Sequence, residues 1–145
     1  MGRPRELPPH IRAATDAAVG LAGAVPGSVA VALVGSWAGG RARPDSDVDV
    51  VVLTRAPEAL LHDDTWHGRF GAGASLVRTA DFGALQERRL RLPSGLEVEL
   101  GVGPPSWADT DPVDEGTRRV VAGGLSLLWD PEGRLGRLVE AVSAP

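Results

Sequence analysis

Two short, strongly β-branched runs constrain this chain more than any other feature: Val29–Val34 (VAVALV) and Asp47–Leu53 (DVDVVVL), separated by residues 35–46. Each is bounded by turn residues, too short for a helix and rich in valine, and each reads as a buried strand. The first ends abruptly at Gly35-Ser36. The second carries Asp47 and Asp49 on one face, with Val48 and Val50 on the other. A chain that buries these two strands must find a setting for two like charges on an otherwise apolar element.

Around this pair the remaining pattern is α+β. Pro8-Pro9 precede an alanine-rich helix over 10–24, with Ile11, Ala14, Ala18, Leu21 and Ala22 on one stripe. After Gly35-Ser36 the chain reads as a loop of small and basic residues through Arg43-Pro44. A short helix is expected at Glu58–Leu61, a loop at His62–Gly73 and a strand at Ala74–Thr79. A hairpin follows: Arg88–Leu92, the turn Pro93-Ser94-Gly95, and Leu96–Val102 with two-residue alternation. Thr110 or Asp111 would cap a helix running to Ala122. Leu125–Trp129 reads as a last strand and Pro131–Val142 as a last helix. With no repeat and no dividing linker, residues 1–145 read as one domain.

Composition excludes several chemistries. There is no cysteine, hence no thiolate metal site or thiol nucleophile. All 15 basic residues are arginine, so lysine Schiff-base chemistry and the P-loop ammonium are absent too. The net charge of −4 gives no basic footprint for a polynucleotide. The apolar runs fall far short of the roughly 20 residues of a membrane span. The Met1–Arg5 start lacks a signal core, Glu6 spoils a myristoylation pattern, and a cytoplasmic protein is expected.

Three features converge on phosphate chemistry. A glycine at a strand end lets a phosphate approach the backbone, and Ser36 adds a hydroxyl and a helix-capping group. Asp47 and Asp49 side by side invite a divalent ion, because Mg²⁺ is held by one or two carboxylates plus substrate phosphates. Leu96-Glu97-Val98-Glu99-Leu100 sets two more acids on one strand face, and a third carboxylate would complete a two-metal site. A calcium loop starting at Asp45 fails, since Val50 and Ala56 stand where glycine and glutamate are required. His62 and His67, beside Asp63-Asp64, lack a second ligand pair and read as exposed loop residues. Trp66 reads as a surface aromatic, Trp37 as a residue that stacks on a base or lids the site, and Trp107 and Trp129 as core or interface anchors.

The order Gly35-Ser36, then Asp47-Val48-Asp49-Val50, then an acid on a later strand resembles the DNA polymerase beta-type nucleotidyltransferase superfamily, across about Val29–Val102. Within it the chain looks most like the small antibiotic nucleotidyltransferases and the minimal nucleotidyltransferases. The resemblance implies a mixed, mostly antiparallel sheet with flanking helices. It implies transfer of a nucleoside monophosphate from a triphosphate, ATP being the expected one, to a hydroxyl on a small molecule such as an antibiotic, or on a protein. Gly35 and Ser36 would hold the triphosphate. Asp47 and Asp49 would bind Mg²⁺, with Glu99 as third acid and Glu97 as its alternative. The minimal group has arginine and glycine where Gly39 and Gly40 stand here, so Arg41 or Arg43 would supply charge to the triphosphate. Antibiotic-modifying relatives add a C-terminal helical domain that helps form the acceptor pocket. The short stretch after Val102 therefore suggests a shallow acceptor site, or one completed by a second copy or a small helical partner. The alternative reading is a non-catalytic nucleotide-binding protein, of the antitoxin type.

Overall fold

The computed structural model describes residues 6–144; the Met1–Arg5 segment read above for targeting signals lies outside them. Helix α1 (Pro9–Ala24) starts on a proline, whose missing N–H costs nothing in a first turn, and buries the expected stripe. Strands β1 (Ser28–Val34) and β2 (Val48–Thr54) pair antiparallel, and Asp47 stands just ahead of β2 rather than in it. Three further strands, β3 (Ser75–Phe82), β4 (Leu85–Arg91) and β5 (Glu97–Gly103), and the last strand β6 (Leu125–Trp129), complete one sheet in the order β3-β4-β5-β2-β1-β6. Among the described residues only β2 and β5 pair in parallel. The sheet is thus mixed and mostly antiparallel, as the resemblance implies.

Alternation divides the core into two. Val48, Val50 and Val52 of β2 and Val98, Leu100 and Val102 of β5 face α1, Trp66 and Phe70. Val51 and Leu53 face the opposite way, toward Trp107 and two C-terminal helices, α4 (Glu115–Ala122) and α5 (Arg134–Ser143). Covered on both faces, β1 and β2 carry near-continuous apolar sequence. Asp49, Glu97 and Glu99 alternate with the first set and so fall on the side of the second. Among the described residues no helix is long and apolar enough to cross a membrane.

Several expectations are corrected. Residues 35–39 form a one-turn helix, α2 (Gly35–Gly39), instead of a loop. The strand expected at Ala74–Thr79 runs on to Phe82 and returns through Gly83-Ala84 as β4, so two hairpins replace one. The cap of α4 is Asp114, whose carboxylate accepts from the Thr117 amide at 3.1 Å, not Thr110 or Asp111. Pro112 disfavours helical backbone at Asp111, and Thr110 bridges to Val113 instead. Helix α5 begins at Arg134 rather than Pro131, its first amides at Leu135 and Gly136 bonded to the Asp130 carboxylate at 3.0 and 2.9 Å.

Trp66 is the clearest reversal. It is buried in a 3₁₀ turn (Thr65–Phe70) that follows the short helix α3 (Glu58–Leu61), and its indole N–H donates to the Leu60 carbonyl at 2.9 Å. A polar neighbourhood in sequence hides an anchor that pins this segment under α1. Trp66→Ala is expected to cost ~3–5 kcal/mol in urea unfolding, as for other large aromatic truncations. A loss under ~1 kcal/mol would show that the segment contributes little to the core.

Candidate active site

Gly35 and Asp49 meet where β1 ends and β2 begins. Val34 and Asp49 are register partners, and Gly35 turns the chain into α2 at φ +73°. The space a Cβ would take at Gly35 is filled by the Asp49 carboxylate. Glycine is needed here on both counts, conformation and room. Ser36 then faces an open cleft of ≈ 480 Å³ that Arg43, Asp45, Ser46, Asp47 and Asp49 also line. Asp49 also borders a smaller hollow of ≈ 100 Å³, shared with Glu87, Glu99, Phe82 and Gly101.

The parallel pairing of β2 and β5 brings the later acids to this point. Asp49 lies opposite Glu99, and Glu99 in turn lies opposite Arg89 of β4, which lies opposite Arg78 of β3. The four form one row across the sheet. The Arg89 guanidinium reaches into the carboxylates: Nη1 donates to Asp47 Oδ2 at 2.6 Å and to Glu97 Oε1 at 2.8 Å, while Nη2 pairs with Glu99. Glu97 is also gripped by Arg91, through Nε at 2.9 Å and Nη2 at 2.7 Å. Hydrogen bonds from Arg89 and then Arg91 hold its carboxyl below the usual range.

The sequence pattern, which starts the hairpin strand at Arg88, leaves Glu87 outside the candidate site, yet the structure puts it there. It is 4% exposed and its Oε2 accepts from Arg78 Nε at 2.8 Å. The signal lay in strand alternation, which puts 87, 89 and 91 on one side once β4 is extended back to Leu85.

Asp49 differs from its neighbours. Burial first, then the charge of Asp47, push its carboxyl up to about 6, with Glu87 adding to the rise and Arg89 opposing it. Among the described residues no three carboxylates or imidazoles already surround a common point, and Arg89 is bonded to three of the acids. The donor set nonetheless suits a hard divalent ion: every candidate ligand is a carboxylate oxygen, and Asp49 is a half-buried acid that a cation would relieve.

The other predicted residues fall as follows. Arg43 lines the cleft. Arg41 is engaged elsewhere, donating from Nη1 to the Gly123 carbonyl at 2.8 Å. That tether explains Gly39, since the position of a Cβ there is already filled by the Arg41 guanidinium and the Gly123 oxygen. Trp37 neither lids the cleft nor waits for a base; it packs against the α1-side core, and its indole N–H donates to the Ser46 carbonyl at 3.1 Å. It fastens α2 to the loop that delivers Asp47. Trp107 is buried and Trp129 half-buried, as core anchors should be.

The model of the nucleotidyltransferase domain family matches residues 23–103. The chain belongs to that family. Gly35, Ser36, Asp47, Asp49, Arg89, Glu97 and Glu99 of this nucleotidyltransferase domain all lie in the matched span; α4, β6 and α5 lie beyond it. Among solved structures, the Cid1 poly(U) polymerase is 19% identical over 64% of this chain and 29% of its own, with a TM-score of 0.45. A cytoplasmic RNA terminal U-transferase is 20% identical over 63% of this chain and 27% of its own, with a TM-score of 0.40. The chain thus spans less than a third of the length of either. No curated protein matches it.

Proposed function

We propose that the domain transfers a nucleoside monophosphate from a triphosphate to a hydroxyl acceptor in a Mg²⁺-dependent reaction, with Asp47, Asp49 and Glu99 as the metal-holding acids. The observation that carries this is the seating of the Asp49 carboxylate against the Gly35 backbone, at the head of an open cleft and opposite Glu99. When bound, Mg²⁺ neutralises phosphate charge and polarises the reacting phosphoryl oxygen. Ser36 and the Gly35 backbone border the triphosphate's seat, and Arg43 offers it a guanidinium from the cleft wall. Arg41, already tethered to Gly123, is the weaker candidate for that role. Glu99 is preferred to Glu97 because it is the acid in register with Asp49, whereas Glu97 lies opposite Arg91 and is bound by it.

Asp49 lines both the cleft and the smaller hollow. A triphosphate in the first and an acceptor hydroxyl approaching from the second would meet across it, the arrangement an in-line displacement requires. Nothing lining the cleft singles out a base, and ATP is the first nucleotide to test. Calorimetry with a nonhydrolysable ATP analogue is expected to show binding that requires Mg²⁺ and is lost in Asp49→Asn. Equal binding with and without Mg²⁺, or none under either condition, would count against the proposal.

A further inference from the structure

Among the described residues Arg89 is the one cation paired with four carboxylates, and the proposed transfer does not use it. Its Nη1 bridges Asp47 and Glu97, its Nη2 pairs with Glu99, and Nη2 also lies 3.9 Å from Glu87. The side chain is 16% exposed, and its Nε is buried with no acceptor. A buried donor left unpaired is unfavourable, and this guanidinium is held by its outer nitrogens alone, by Glu97 and by two of the acids proposed to hold the metal, Asp47 and Glu99. Arg78 backs it from β3, bonded to Glu87 and 3.7 Å from Glu99. Asp49, the remaining acid of the site, receives no hydrogen bond from Arg89, whose two outer nitrogens are turned to Asp47, Glu97 and Glu99.

We infer that Arg89 is a built-in counterion occupying one of two cation positions, so that the nucleotide-free protein takes a single divalent ion at Asp49, and a second must displace the guanidinium from Asp47 and Glu99. This rests on the reading of these acids as metal ligands. A planar guanidinium satisfies carboxylates from several sides at once, which an ammonium does not. It keeps the acids in place when no metal is present and opposes full loading until the charge of a nucleotide, with its own ion, competes for the position. Arg89 is a positioning residue in this scheme, acting through Asp47 and Glu99.

The test is Mn²⁺ titration of the full chain without nucleotide, followed by electron paramagnetic resonance. Wild type is expected to bind one ion. Arg89→Leu is expected to bind two, the first at least tenfold more tightly, and Arg89→Lys to bind at least threefold more tightly than wild type. Arg78→Leu removes the same charge close to Glu87 and Glu99 without touching Asp47, and should stay within threefold of wild type. Equal behaviour of Arg89→Leu and Arg78→Leu, or two ions bound by wild type, overturns the inference. If the leucine variant does not fold, Arg89→Lys decides alone, and wild-type affinity there overturns it. Mn²⁺ binding lost in Asp49→Asn but unaltered in Arg89→Leu overturns only the inference. No binding in any variant, wild type included, overturns the metal reading with it.

Discussion

Asp49→Asn is expected to abolish nucleotide transfer, by on the order of 10³-fold or more, while making the metal-free protein more stable. The two effects have one cause. The Asp49 carboxyl titrates at about 6 in the folded protein against 3.8 for the ordinary group, so the folded state disfavours its charge. The folded state therefore binds the proton more readily than the unfolded chain. The stability linked to the neutral form is complete below about pH 4, declines as pH rises, and is gone above about pH 6. A difference of this size corresponds to ~3 kcal/mol at most, and side-chain relaxation will reduce it. Asparagine keeps the shape without the charge. Urea unfolding at pH 7 should find the variant more stable by ~1–3 kcal/mol, with little difference near pH 4. Lower stability at pH 7 would contradict the picture of an acid held in readiness for a cation.

Gly35→Ala carries the second large effect. Its backbone sits at φ +73°, where an L side chain is strained, and its new methyl would enter the space of the Asp49 carboxylate. Gly133 supplies the control. It has nearly the same backbone, φ +71°, but a Cβ there meets only the flexible end of Arg137 at 3.1 Å. Gly133→Ala should lose ~1–2 kcal/mol from backbone strain alone. Gly35→Ala should lose that and more, and transfer should fall at least 10²-fold because Asp49 must move. If the two variants lose stability equally and Gly35→Ala keeps its activity, the close approach of Gly35 and Asp49 has no functional weight.

The parts of the fold most visible in the sequence are those where one local pattern and its burial agree. Valine-rich β1 and β2, the Gly35-Ser36 stop and the alternation around Glu97 and Glu99 each announce themselves within a few residues. Strand β3 shows itself only as far as Thr79; its run to Phe82 and its return as β4 do not, because this is a largely exposed edge closed by a turn with a single glycine. Trp66 deceived for the opposite reason: its neighbours are polar, and only α1 folding over it makes it core. At the site, the acids were legible but their counterion was not. Arg89 reaches Asp47 from 42 residues away through the order of β4, β5 and β2 in the sheet, and no local spacing encodes that order. Arg41 and Arg43 look equivalent in the loop, and the structure distinguishes them by tying Arg41 to the Gly123 carbonyl and leaving Arg43 on the cleft wall.

The most direct test of the central claim follows the fate of the α-phosphate. The protein is incubated with Mg²⁺, ATP labelled at the α-phosphorus and a panel of hydroxyl acceptors, water among them. Labelled monophosphate is expected on the acceptor, or free when water attacks, with one pyrophosphate released per transfer and neither product formed by Asp49→Asn. Labelled ADP with free phosphate, undiminished transfer by Asp49→Asn, or no cleavage with any acceptor would contradict it.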